Sequence, residues 1–447
     1  MNRIMKHRRQ LALLLVSILV ISALAGCGGK DNNSVATDPP SKTTESSTNN
    51  TEDNVENTDT DVDPIKIAAF FNMSGSGADS GLYSQMGYQM AIDDINAAGG
   101  IKSLGGAQLE VIIGDTMTDT SQAKAVADRV LADEEIIAAI GFSGSAWCVP
   151  MLPSFEKAGV PIVLNSTANA ITSQGYQMVF QHAPTSENFG KQQVAFIKWV
   201  SETYGVEITK VGALYENTEN GLSNAKGARE NAEAAGFEWV YEEAFPFNLS
   251  DASNLVVGMK NSGAQVIFLT ALSQDAKLIS NTMKSMNYTP ITMGSGAGFL
   301  MPAFAEELGE DVDGIISICS TNWDTPAVEN NPDLADVAVR FEEKHGLFMP
   351  EHAVCAYNGI YLIAQALEKT GSRDKADLAA ALRDIGVDGF TGNATFSPEG
   401  ANQGVTVPVI QWQKDPDGKY RPRNVFPDFL ATTEYQLPSL LKEQQGE

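Results

Sequence analysis

Three polar turns, each following an apolar run, carry the side chains with which this sequence could hold a small molecule. The first runs from Met73 to Ser84 and contains Ser74 and Ser80; the second is Ser143-Gly144-Ser145-Ala146-Trp147; the third is Asn165-Ser166-Thr167-Ala168. Hydroxyls of this kind, beside the free backbone N–H groups of a helix start, suit a carboxylate. The same residue types also form turns and cap helices with no ligand involved. A fourth segment, Ala271-Leu272-Ser273-Gln274-Asp275, places an acid at the head of a helical stretch. Such an acid can hold a cationic group by a charge-assisted hydrogen bond, or simply stabilise the helix dipole. Catalytic chemistry is poorly represented. His182, His345 and His352 are the only histidines outside the first ten residues, and none lies near a G-x-S-x-G elbow. No close cluster of His, Cys and acids has metal-ligand spacing, so no metal is expected. Gly75-Ser76-Gly77-Ala78-Asp79-Ser80-Gly81 reads G-x-G-x-x-x-G, not the dinucleotide spacing G-x-G-x-x-G, although Asp115 stands where a ribose-binding acid would. No cofactor is expected, and an exported hydrolase is the enzymatic alternative.

Strand and helix alternate around these turns. Ile65–Phe71 reads as a buried strand, and Leu82–Ala98 as a helix with Met86, Met90, Ile92 and Ile95 on one stripe. Leu109–Gly114, Ile136–Gly141 and Val160–Leu164 read as further strands, with helices over Thr118–Asp133 and Pro150–Lys157. The beat restarts at Ser186. Helices are expected over Asn188–Tyr204, Asn220–Ala235, Ala252–Ser262 and Asp275–Met286, and strands over Lys210–Tyr215, Glu238–Ala244, Gln265–Thr270 and Thr289–Met293. Gly314–Cys319 follows as a strand, then three helices (Pro332–His345, His352–Lys369, Lys375–Ile385) and a late strand, Val405–Gln413, ending at Asp415-Pro416-Asp417-Gly418. This alternation predicts an α/β fold of parallel sheets covered on both faces. In such sheets ligands meet the loops at the carboxyl ends of the strands, which is where the three polar turns fall.

The first 63 residues differ from this body. Arg3, Lys6, Arg8 and Arg9 precede an apolar stretch from Leu11 to Ala25. That stretch is short for a spanning helix but suits a signal peptide. It ends in Leu24-Ala25-Gly26-Cys27, which resembles a bacterial lipobox; the resemblance implies cleavage before Cys27 and lipid on that residue. Residues 31–63 are rich in Ser, Thr and Asn, with nine acids and few aliphatics, and predict a disordered acidic tether. The chain holds 30 Lys and Arg against 56 Asp and Glu, a formal net charge of −26. Most of that excess belongs to the body and argues against nucleic-acid binding. Cys148, Cys319 and Cys355 remain beyond Cys27. They are expected as free thiols, with a Cys148–Cys319 bond as the alternative.

The ordered set Ile65–Phe71, Met73-Ser74-Gly75 and Gly87–Ile101, with its Ile95-Asn96-Ala97-Ala98-Gly99-Gly100-Ile101 ending, resembles the opening of type I periplasmic binding proteins. Ile140–Ser145, Lys157–Val163, Lys210–Tyr215, Ala234-Ala235-Gly236 and Ala356-Tyr357-Asn358 extend the resemblance to about Tyr420, nearest to the leucine/isoleucine/valine-binding branch. It implies two Rossmann-like lobes joined by three hinge crossings, a Venus flytrap. The crossings are expected near Ala183–Ser186, Ser317–Trp323 and Phe390–Pro398. Lobe 1 would be 64–185 plus 320–392, lobe 2 would be 186–319 plus 393–435, and 436–447 a tail. The implied role is a lipid-anchored, extracytoplasmic, monomeric receptor that captures an amino acid or amide and delivers it to an ABC permease. A sensor subunit of a separate signalling receptor is the alternative. By resemblance Ser145 matches a carboxylate-binding Ser, and Asp275 an acid that pairs with the ligand's ammonium. The family commonly has Thr where Ala168 stands, which shifts attention to Ser166 and Thr167, and an aromatic where Asn220 stands. Trp147 offers a replacement stacking surface, with Ala146 beside it. Phe299 and Trp323 are further cleft candidates.

Overall fold

The structure, a computed structural model, describes residues 62–437 apart from 76, 143, 326–333, 385–386 and 390–391. The expected signal peptide, Cys27, the tether up to residue 61 and the tail beyond Leu437 lie outside the described residues. The apolar run Ile65–Phe71 forms β1, buried on both faces. It is followed by α1 (Ala78–Ala97), β2 (Leu109–Asp115), α2 (Thr120–Val130), β3 (Ile136–Gly141), the short α3 (Ser145–Cys148), α4 (Leu152–Ala158), β4 (Ile162–Leu164) and β5 (Val179–Gln181). These strands make one parallel sheet in the order β2-β1-β3-β4-β5, with Ile65 opposite Leu109. Parallel pairing needs crossovers, so helices cover both faces and the strands read as unbroken apolar runs.

The chain then passes to a second sheet. It runs through α5 (Ser186–Tyr204), β6 (Lys210–Glu216), α6 (Glu219–Ala234), β7 (Glu238–Phe245), α7 (Ser253–Ser262), β8 (Val266–Thr270), α8 (Ser273–Ser285), β9 (Ile291–Ser295), α9 (Pro302–Leu308) and β10 (Ile316–Ile318). It returns to the first sheet as α10 (Leu334–His345), α11 (Glu351–Thr370) and α12 (Lys375–Asp384), whose apolar faces join β1 and β3 in one core. A small hairpin, β11 (Val387–Gly389) and β12 (Gly392–Ala394), precedes the last passage, which adds β13 (Val409–Lys414) and β14 (Tyr420–Phe426) to the second sheet. That sheet has the order β14-β13-β10-β9-β8-β6-β7 and is parallel except for its last two strands. The fold is thus two α/β lobes with three crossings.

The segment leading to β13 stays with the first sheet for some distance. Phe396 packs edge-on against Phe180 at 5.3 Å, Ala401 bridges Gln181, and Asn402 donates to the His182 carbonyl. These contacts hold the segment through Asn402 against the first sheet. The strand β14 was not foreseen, because Pro422 interrupts its pattern; an edge strand tolerates a proline whose missing N–H faces no partner. Two close helix contacts depend on glycine. A Cβ on Gly87 would sit 2.1 Å from the Ala353 carbonyl oxygen, and one on Gly190 would sit 2.2 Å from that of Gly227. The first lets α1 lie directly on α11; the second brings α5 and α6 together.

Candidate functional site

The carboxyl ends of β1, β3 and β4 face the corresponding ends of β6, β8 and β9. Between them lies a small cavity of about 30 Å³, to which Asn165, Ser166 and Thr167 contribute from one lobe and Asn220, Asn224 and Leu300 from the other. Ser320, on the second crossing, and Glu351 and His352, which open α11, add to the wall, together with Phe189, Gly296 and Ile318. The lobes touch directly here: the Thr167 hydroxyl donates to Asn220 Oδ1 at 2.8 Å. Thr218 caps α6 by accepting from the Gly221 amide, which aims Asn220 at the opposite lobe.

The residues singled out from sequence are placed as follows. Ser145 is fully buried, and its Oγ accepts from the Ala168 amide at 3.1 Å. Ser166 directs its hydroxyl to the Phe142 carbonyl at 3.5 Å, while its own carbonyl accepts from Gln181. Ser74 donates to Asp115, which also accepts from the Met73 and Met117 amides, so that acid shapes the β1–β2 turns. Ser80 donates to the Gly77 carbonyl at 2.7 Å within the first turn of α1. Trp147 is buried beside Ala146 and stacks on Phe247 of the other lobe, with ring centroids 6.3 Å apart. It therefore forms part of the contact between lobes.

Three candidates are turned to other tasks. Asp275 is 3% exposed, and its two oxygens accept from the Leu249 amide at 2.8 Å and the Asn248 amide at 3.2 Å. It pins the loop between β7 and α7. Phe299 is buried against Phe304, and its carbonyl accepts from the Trp412 indole at 2.8 Å. It belongs to the second lobe's core because the Gly-rich loop after β9 folds inward. Trp323 lies beneath the Arg423 guanidinium, 4.8 Å from the ring centroid, and donates to the Pro422 carbonyl. It fastens the second crossing to β14.

Sequence reasoning missed the buried ionisable groups of the cleft. Glu351 is 8% exposed, with the Ser320 amide donating to Oε1 at 2.6 Å. Glu216, at the carboxyl end of β6, is 3% exposed; Thr218 and Asn220 donate to its Oε1, and the Leu272 amide adds a further hydrogen bond to the carboxyl. Burial pushes both carboxyls up to about 7, partly offset by those hydrogen bonds. His352 is 4% exposed, and burial lowers it to about 4, so its ring is neutral. A signal existed: Glu351-His352 heads an otherwise apolar helix, and Glu216 closes a fully buried strand at the ligand-facing edge. Cys148, Cys319 and Cys355 are free and buried, and burial raises each thiol, the opposite of what a nucleophile needs. Among the described residues no group of three or more His, Cys, Asp or Glu could hold a metal ion. A larger recess of about 390 Å³ lies at the amino ends of β9 and β10, away from these converging polar groups.

A family model described as periplasmic binding protein matches residues 64–419. A Leu/Ile/Val-binding protein homolog from Brucella abortus is 30% identical over 369 residues, covering 79% of this chain and 89% of the relative. Among solved structures, a leucine binding protein from Thermotoga maritima superposes with a TM-score of 0.70 at 20% identity, covering 81% of this chain and 99% of that one. A branched-chain amino acid transporter substrate binding protein from Streptococcus pneumoniae, in complex with isoleucine, gives 0.68 at 24% identity, covering 81% and 100%.

Proposed function

Because this chain belongs to the periplasmic binding protein family, we propose that it is the substrate-binding component of an ABC transporter. It takes an amino acid or similar small zwitterion into the cleft, closes on it by hinge motion, and presents the closed form to a permease. The observation that carries this reading is the polar cavity between the lobes, built from both sheets and bridged by Thr167 and Asn220. Fully buried polar side chains at a lobe boundary add little to stability and suit a ligand that supplies their missing partners. Ser166 and Thr167 stand at the carboxylate end, with Ser145 behind them holding the Ala168 amide.

The proposed lobes comprise 64–185 with 320–402, and 186–319 with 403–435. The leader and Cys27 motif support a mature protein held outside the membrane by lipid on Cys27 and set off from it by the acidic tether; it acts as a monomer in this reading, since both walls of the cleft come from one chain. The test is mass spectrometry of the purified protein, native and then denatured. A released amino acid or amide, in a protein beginning at diacylated Cys27, is the expected result. Release of a nucleotide or sugar overturns the ligand class, and an unmodified terminus elsewhere overturns the anchor.

A further inference from the structure

We infer that the cleft selects a ligand bearing nitrogen hydrogen-bond donors beyond its α-amino group, an amide or a cationic nitrogen, and that Glu351, Asn224 and His352 recognise that end. This rests on the binding-protein reading above and narrows its ligand.

Three polar atoms in the cavity wall lack a hydrogen-bond partner, and two of them are amide oxygens that can only accept. Asn224 donates from Nδ2 to Asn220 Oδ1 and to Ser295 Oγ, both at 3.3 Å, which fixes the amide's orientation. Its Oδ1 is then a buried acceptor with no partner. Asn165 Oδ1 on the opposite lobe is likewise buried and unpartnered. So is His352 Nδ1, in a ring that burial keeps neutral, where it accepts whenever the proton sits on Nε2. Glu351 adds a carboxylate to the same wall.

Unsatisfied buried polar atoms are rare in folded proteins, and several around one cavity point to groups completed by something that enters it. An aliphatic side chain completes none of them. Worse, it leaves each acceptor desolvated without compensation, which is how a polar site rejects an apolar analogue. Amide or cationic N–H groups satisfy several at once. The acid expected to hold an ammonium, Asp275, is already committed to two loop amides. Glu351 is therefore the carboxylate in the cavity wall that remains for a cationic donor.

The test is isothermal titration of the mature full-length protein, stripped of carried ligand by denaturation and refolding. The probes are L-leucine, L-isoleucine, L-asparagine, L-glutamine and L-arginine, with the carried compound identified by mass spectrometry. At least one donor-bearing probe is expected to bind about tenfold or more tightly than L-leucine. Glu351→Gln and Asn224→Leu should each weaken that probe by about tenfold or more, and Asn224→Leu should narrow its advantage over L-leucine. Circular dichroism checks that each variant folds; Asn224→Leu carries the test if Glu351→Gln does not. Tighter binding of L-leucine or L-isoleucine than of every donor-bearing probe overturns this inference and leaves the binding-protein reading standing. So does an Asn224→Leu variant with unchanged preference. If no probe binds, a carried compound with donor nitrogens beyond an α-amino group supports the inference and one without them overturns it. A protein that binds none and carries none overturns both readings.

Discussion

Replacing Glu216 by Gln should remove a pH-dependent cost to folding of about 3 kcal/mol. The carboxyl is buried at the end of β6, and loss of solvation raises it from 4.5 to about 7 against the opposing bonds from Thr218 and Asn220. Below about pH 4.5 the folded and unfolded chains both carry the proton, and no cost arises. Between 4.5 and 7 the unfolded chain ionises while the folded one keeps its proton, so stability falls as pH rises. Above 7 both are ionised and the full cost is present. At about 1.4 kcal/mol per pH unit, the gap from 4.5 to about 7 gives about 3 kcal/mol. Glu351 has the same direction. His182 and His352, lowered from 6.5 to about 4, have the opposite one: the unfolded chain takes up protons first, and stability falls as pH drops from 6.5 to 4. Two acids and two histidines thus oppose each other across one window, and the wild-type profile alone is uninformative. The difference between Glu216→Gln and wild type isolates the acid. Urea unfolding followed by tryptophan fluorescence at about pH 4.5, 6 and 8 should show that difference growing in the variant's favour from near zero to about 3 kcal/mol. A difference that stays constant with pH would refute the reasoning, because it would mean that Glu216 is as easily ionised folded as unfolded.

Two further substitutions probe the architecture around the cleft. Gly87→Ala forces a Cβ against the Ala353 carbonyl and should cost about 2 kcal/mol or more by urea unfolding; an unchanged midpoint would mean that α1 and α11 can separate without penalty. Asp275→Ala strips acceptors from the Asn248 and Leu249 amides and should cost about 2 kcal/mol, with faster hydrogen exchange between residues 246 and 251. Loss of ligand affinity with stability intact would instead return this carboxylate to the ligand.

Much of the fold could be read along the chain. Parallel strands buried on both faces are continuous apolar runs, so β1, β3 and β8 stand out, and the glycines after their helices mark the ends. Two strands are harder to read: β5, with three residues, is too short for any period, and β14 carries charged residues and a proline because it lies at an edge. The polar turns of the first lobe were legible because Ser and Thr cluster after strands. What Asp275 does was not, since a helix-start acid looks the same whether its partner is a ligand or the backbone of a distant loop.

By itself, then, the sequence determined the layered α/β architecture, the two-fold restart at Ser186 and the polar loops at the strand ends, because these follow from local periodicity and turn chemistry. Tertiary structure decided which carboxylates the cleft contains. Glu216 and Glu351 are 135 positions apart in the chain and on different lobes. Only the folding of α11 back onto the first sheet brings Glu351 and His352 beside Asn165, and only the meeting of the lobes sets them opposite Asn220 and Asn224. Burial by residues remote in sequence is what shifts their ionisation.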